Sequence, residues 1–336
     1  MNYFVTGATG FIGGRVARQL IEAGHRVIAL VRDKSKAGEL KALGVELCEG
    51  DITDKESMRQ PMSKADGVFH IAAWYKIGTR DSHLAERVNV EGTRNVLELM
   101  RDLKIPKGVY TSTLAVFSDT GGRAVDETYH HNGPWLSEYD RTKWLAHYAV
   151  ALPLIEQGLP LVIVQPGVVY GPGDTSIMRE TFKQYLQRKL PLIPKQTAFC
   201  WAHVDDTAGG HILALEKGTP GETYIIAGPI HTFEEVFAFA EQITGIKTPR
   251  LRLSPGIMNT MAKWMRIIGY LFPLAPSYTA ESLQVIAGTT YIGDNSKAQR
   301  ELGFQPRPLK DGLRETLLHE MKLLGMRPEF GLMPSQ

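Results

Sequence analysis

The chain has 336 residues, 43% hydrophobic and 22% charged, with 38 basic and 36 acidic side chains and a formal net charge of +2. That length suits two domains or one large α/β unit, enough to bury a core without disulfides or a structural metal. The charge balance leaves no footprint for nucleic acid, and the two cysteines, Cys48 and Cys200, stand in no metal-ligand spacing and fit a reducing compartment.

The chain opens without a basic n-region or cleavage site, which predicts a cytoplasmic protein. Tyr3–Thr6 reads as a strand, followed by Gly7-Ala8-Thr9-Gly10-Phe11-Ile12-Gly13 and an amphipathic run over Phe11–Ala23. At such a turn Gly7 permits the tight bend, Gly10 lets backbone approach a pyrophosphate, and Gly13 brings helix against strand. The helix N-terminus then offers N–H groups and a positive dipole end to phosphates. Gly7, Thr9, Gly10, Phe11, Ile12 and Gly13 are therefore candidate dinucleotide ligands. The spacing is G-x-x-G-x-x-G, and its position at the first βα turn carries the reading.

A second strand, Arg26–Val31, ends in Arg32-Asp33, with Lys34 and Lys36 beyond. An acidic residue here would hold the ribose of NAD, whereas an arginine suits the 2′-phosphate of NADP. Arg32 comes first, with Lys36 in support, so NADP is favoured over NAD. Further strands are predicted at Val45–Glu49, Gly67–Ile71, Gly108–Thr111 and Leu161–Gln165, with a helix over Leu84–Leu103. This alternation predicts an α/β, doubly wound parallel sheet, the Rossmann fold.

After Pro166 prolines punctuate shorter segments, including an extended run at Thr223–Ala227, and predict a smaller C-terminal substrate-binding lobe over the open end of the sheet. The expected division is 1–170 for the dinucleotide domain and 171–325 mainly for the lobe, some of whose segments return to the first domain. Residues 326–336 form an irregular tail. The apolar run Ile267–Phe272 lies between Arg266 and Pro273 and is too short to span a membrane.

Two segments carry chemistry. Tyr139 and Lys143 stand at i, i+4, on one helical face. A phenol has a pKa near 10, and a nearby ammonium favours the phenolate and brings the group toward its working range. Thr113, in Thr111-Ser112-Thr113 at a strand exit, could hydrogen-bond a substrate carbonyl opposite Tyr139.

These segments recur in order with Gly50-Asp51-Ile52, Val68-Phe69-His70-Ile71-Ala72-Ala73, Asn89-Val90-Glu91-Gly92-Thr93, Pro166-Gly167-Val168-Val169-Tyr170-Gly171-Pro172-Gly173, His203-Val204-Asp205-Asp206 and Asn295-Ser296-Lys297-Ala298. Together they resemble the extended, epimerase/dehydratase-type short-chain dehydrogenase/reductases, from Asn2 to about Leu324. Val31-Arg32-Asp33 and Val68-Phe69-His70 look like the branch holding dihydroflavonol 4-reductase. The resemblance implies Asp51 and Ile52 beside the adenine and Ala72 and Ala73 along the cofactor cleft. It also implies cofactor contacts from Asn89, Pro166, Val169, Tyr139 and Lys143, and a catalytic set of Thr113, Tyr139 and Lys143.

Three departures narrow the chemistry. Leu114-Ala115 stands where dehydratases of the family carry an acidic pair. Val168 and Phe199 stand where nucleotide-sugar epimerases carry Asn and Arg for the diphosphate. The expected function is therefore NADP(H)-dependent reduction of a non-nucleotide, largely apolar ketone or aldehyde, or oxidation of the corresponding alcohol. The alternatives are an epimerase of a sugar or nucleotide sugar, with Arg179 or Arg188 as diphosphate ligands, and a dinucleotide-binding regulatory protein without catalysis. The expected partners are a small-molecule substrate and, for a homodimer, a second copy; a monomer is equally compatible, and no nucleic acid, membrane span or metal is expected. Trp74, Tyr75, Trp201, Trp264 and Phe272 are candidates for a substrate cleft or for packing. Cys48 is assigned to the core and His203 to structural hydrogen bonding.

Overall fold

The computed structural model describes residues 1–78, 81–272 and 279–326. In chain order its first part runs β1 (Asn2–Thr6), α1 (Phe11–Glu22), β2 (Arg26–Val31), α2 (Gly38–Ala42), β3 (Glu46–Glu49), α3 (Lys55–Met62) and β4 (Gly67–His70). There follow α4 (Ser82–Glu86), α5 (Gly92–Asp102), β5 (Gly108–Thr111), α6 (Glu138–Trp144), α7 (Leu152–Glu156) and β6 (Leu161–Gln165). The strands are parallel and alternate their side chains between two helical layers. Val5, Val27, Ala29 and Val31 meet Val16, Ala17 and Leu20 of α1 on one face. Phe4, Ile28 and Leu30 meet Met58, Met62, Val96 and Met100 on the other. Burial on both faces explains why these strands read as nearly continuous apolar runs.

The helix predicted over Leu84–Leu103 spans α4 and α5, joined by a π-helical turn at Arg87–Glu91. A second π-helical stretch, Leu145–Ala151, joins α6 to α7. Pro153 stands two residues past its end; it has no N–H to donate and crowds the carbonyl four residues back, which favours the wider turn there.

The remaining elements are β7 (Val168–Tyr170), α8 (Ile177–Leu186), β8 (Ile193–Pro194), β9 (Ala198–His203), α9 (Val204–Lys217), β10 (Thr223–Ile225) and β11 (Ile230–Thr232). They continue with α10 (Phe233–Thr244), β12 (Arg252–Leu253), α11 (Pro255–Leu271), α12 (Ala280–Val285), β13 (Thr290–Tyr291), α13 (Ser296–Leu302) and α14 (Leu309–Leu323). β10 returns to extend the main sheet, whose order is β10-β6-β5-β4-β1-β2-β3. A smaller sheet is built on β9, which pairs with β7, β11 and β13. Its core is aromatic: Phe182, Phe199, Trp201, Phe233, Phe237 and Tyr291 pack together under α8, α10 and α14.

This is the doubly wound Rossmann architecture with a smaller lobe. The strand order reverses at β1, between β2 and β4, and ligands bind such sheets beyond the strand ends at that point. The expected tail falls mainly on residues 327–336, which lie outside the described residues.

Candidate active site

The glycine turn leaves β1 at the reversal point. Gly7 has φ +76°, and a Cβ there would lie 2.7 Å from the Ala72 nitrogen beyond β4. A Cβ on Gly13 would collide with the Gly7 carbonyl, so α1 sits directly on the turn. Thr9 and Gly10 are exposed and Phe11 and Ile12 half-buried, so the start of α1 opens outward. These features fit a dinucleotide, whose diphosphate the backbone here would hold.

The wall opposite is braced from below. Thr6 Oγ1 accepts from the Ile71 and Ala72 N–H groups, both at 3.2 Å, so its own proton goes to His70 Nδ1 at 2.8 Å. His70 Nε2–H then donates to Thr93 Oγ1 at 3.0 Å. Burial, aided by the charge of Lys143, pushes the pKa of His70 down to about 3, so the imidazole stays neutral in this role.

Beyond β2, Arg32 borders a shallow cavity of about 330 Å³ with Glu49, Gly50, Asp51, Asp54 and Ser57. Asp33 faces a different task. Its carboxylate accepts from the Ser35 N–H at 2.9 Å and hydroxyl at 2.6 Å and pairs with Lys36 at 3.4 Å. Those bonds, chiefly from the Ser35 hydroxyl, hold its pKa below the usual carboxylate value. Lys36 is thus tied to Asp33. Asp51 accepts from the Thr53 N–H and hydroxyl. The Ile52 side chain lies in the core and its carbonyl accepts from Asn95 Nδ2 at 2.9 Å.

The residues expected to react come from the exit of β5 and from α6. Lys143 is buried, and its Nζ donates to the Thr111 carbonyl at 2.7 Å and the Tyr110 hydroxyl at 3.1 Å. Burial lowers its pKa to about 7. Tyr139 is half-buried; desolvation pushes its pKa up to about 12, against the opposing effect of the Thr113 hydroxyl. The phenol is therefore a neutral proton donor at physiological pH in the unliganded protein. Thr113, at the end of the β5 exit, accepts from the Ala115 N–H at 3.2 Å.

Several sequence expectations are corrected or refined. Asn89 is buried and structurally engaged: Oδ1 accepts from the Trp74 N–H, and Nδ2 donates to the Trp74 carbonyl and Thr142 Oγ1. It ties the Trp74 backbone to α6, with both amide hydrogens used in doing so. The Pro166 carbonyl accepts from Leu114 N–H, and Val169 pairs with Ala202 in the smaller sheet. Trp201 is core packing, 1% exposed, and does not line a cleft. Trp264 and Phe272, each 63% exposed, point to solvent. Cys48 is half-buried against the core, and His203 caps α9 by accepting from Asp205 N–H. His203, Asp205 and Glu315 gather within 4.8 Å, but Arg15 already neutralises Asp205 and Arg307 neutralises Glu315.

Sequence reasoning missed Tyr110, Thr93 and Asp140. Asp140 is buried beside Tyr139, accepting from Ser137 Oγ at 2.7 Å and the Tyr291 hydroxyl at 2.9 Å, and burial pushes its pKa up to about 7. Tyr110 was visible only as a strand residue next to Thr111, and its ammonium partner lies 33 residues away.

Residues 3–227 match the family described as the NAD dependent epimerase/dehydratase family. The chain belongs to that family. It is 32% identical over 331 residues to a Synechocystis sp. protein named as a dihydroflavonol 4-reductase, covering 94% of this chain and 93% of that protein. It is 29% identical over 318 residues to sterol demethylase protein B of Methylococcus capsulatus, covering 91% and 94%. The crystal structure of gox2253 superposes with a TM-score of 0.82 at 32% identity, covering 97% of this chain and 99% of that one. As a member of this extended short-chain dehydrogenase/reductase group, the chain is an NAD(P)-dependent oxidoreductase. No helix among the described residues is long and apolar enough to cross a membrane.

Proposed function

We propose that this member of the epimerase/dehydratase family is an NADP(H)-dependent reductase of a non-nucleotide, largely apolar ketone or aldehyde. The observation that carries this reading is the chemistry of the two positions where nucleotide-sugar epimerases hold the diphosphate. Val168 offers no donor, and Phe199 is 3% exposed inside the aromatic core. The alternative arginines are committed elsewhere: Arg179 pairs with Glu320 at 2.8 Å, and Arg188 borders a separate cavity with Tyr185 and Lys247. A diphosphate buried without such partners would cost several kcal/mol.

The preference for NADP rests on Arg32. Asp33, the competing ribose ligand, is occupied by Ser35 and Lys36, while Arg32 stays exposed at the cavity edge. When bound at the glycine turn after β1, the nicotinamide cofactor would supply hydride for the carbonyl carbon. Tyr139 and Thr113 donate to the carbonyl oxygen, and Tyr139 delivers the proton that completes the alcohol. Lys143, one helical turn beyond Tyr139 and held by Tyr110 and Thr111, would in its protonated form stabilise the developing phenolate. The same groups run the reverse oxidation.

Calorimetric titration with UDP and GDP tests the reading. It predicts no binding at micromolar concentrations; micromolar affinity for either nucleotide would favour the epimerase.

A further inference from the structure

Helix α11 exposes an apolar stripe. It buries Met258 and Ala262 against Leu283 and Ala287, the latter just past the end of α12. On another side Ile257, Met261, Trp264 and Ile268 follow at i, i+4, i+7 and i+11 and share one stripe, with Ile267 beside it. Their exposure is large for such side chains: 52% for Ile257, 63% for Trp264 and 58% for Ile267. Scattered exposed apolar residues need no explanation, but a continuous stripe of this kind marks an interaction site.

Charge identifies the partner. From Lys247 to Leu271 the sequence carries Lys247, Arg250, Arg252, Lys263 and Arg266 and no aspartate or glutamate. Lys247 and Arg252 are paired with Glu241 and Glu234. Arg250, Lys263 and Arg266 are exposed. A second copy docking on the same face would set these cations against one another. An anionic lipid surface complements them, and a helix with a tryptophan and isoleucines on one side and basic residues nearby is built to lie in a membrane interface.

We propose that α11 docks the protein peripherally on an anionic bilayer, with Ile257, Met261, Trp264, Ile267 and Ile268 entering the headgroup boundary. The helix lies one element from the reaction centre: Glu281 of α12 accepts from the Gly78 N–H at 2.8 Å and from the N–H of Glu138, the residue before Tyr139. Docking there would bring the cleft close to solutes dissolved in the bilayer. The docking itself is independent of which carbonyl the enzyme reduces.

The test is flotation of the whole protein with vesicles of phosphatidylcholine alone or of phosphatidylcholine with phosphatidylglycerol, alongside tryptophan emission. Partitioning onto the anionic vesicles should be at least about tenfold stronger, with a blue shift in emission. The exposed double variant Trp264→Ser/Ile267→Ser should lose both effects while its far-ultraviolet circular dichroism and melting temperature stay unchanged. Absence of vesicle binding by the wild type, or equal binding by the double variant, overturns the proposal. So does dimerisation through this face, seen in sedimentation velocity and abolished in the double variant, if vesicles are not bound.

Discussion

Tyr139 carries the proton transfer in this account, and removing its hydroxyl leaves the packing of α6 in place. Tyr139→Phe should lower kcat by about 10²–10⁴ while melting temperature and NADPH affinity stay close to wild type. Near-normal turnover of that variant, measured by steady-state kinetics, would remove Tyr139 from the mechanism. Arg32 is the corresponding residue proposed to hold the 2′-phosphate of NADP. Charge-assisted bonds to phosphate are worth about 1.5–3 kcal/mol, so Arg32→Ala should weaken NADPH binding by roughly 10–150-fold and NADH binding far less. Equal losses for the two nucleotides in fluorescence titrations would contradict the assignment. Asp140 gives a pH signature. Its native carboxyl holds its proton up to about pH 7, whereas the unfolded chain releases it near the ordinary value of 3.8. The stability it contributes is therefore full below pH 4 and is lost as pH rises toward 7. Relative to wild type, Asp140→Asn should gain stability between pH 4 and 7 and show a constant difference above that, as read from denaturant unfolding at each pH.

At the scale of elements, the βα turn and its strands were legible in the sequence because their signals are local. Alternating apolar runs marked β1 to β6, and glycines at fixed offsets marked the turn. Gly13 illustrates the physical reason, since any side chain there meets the Gly7 carbonyl. Gly13→Ala should therefore push α1 away from β1, cost about 1–3 kcal/mol of stability and weaken dinucleotide binding, both measurable by thermal unfolding with and without NADPH. An unchanged melting curve and affinity would show that the close approach is not needed. What the sequence did not disclose depends on contacts distant along the chain. Lys143 was visible as a helical neighbour of Tyr139, but its seat on Tyr110 and Thr111 comes from β5. Asn89 reads as a cofactor ligand because its position matches the family motif; only the fold shows its bonds to Trp74 and Thr142. The apolar character of Trp201 and Trp264 is the same in sequence, yet one is core and the other faces solvent.

For the whole molecule, the sheet, its reversal point and the smaller lobe bring an exposed Arg32, an open glycine turn and a Tyr139–Thr113–Lys143 centre to the same side of the parallel strands. The smaller lobe has an aromatic core in which Phe199 is buried. The central claim, net reduction of a non-nucleotide carbonyl, is tested most directly by following NADPH absorbance while the purified protein meets a panel of aryl ketones, aldehydes, steroids and nucleotide sugars. The account predicts stoichiometric loss of NADPH with a member of the first three classes and formation of the matching alcohol. Interconversion of a UDP- or GDP-sugar with no net loss of cofactor would contradict it.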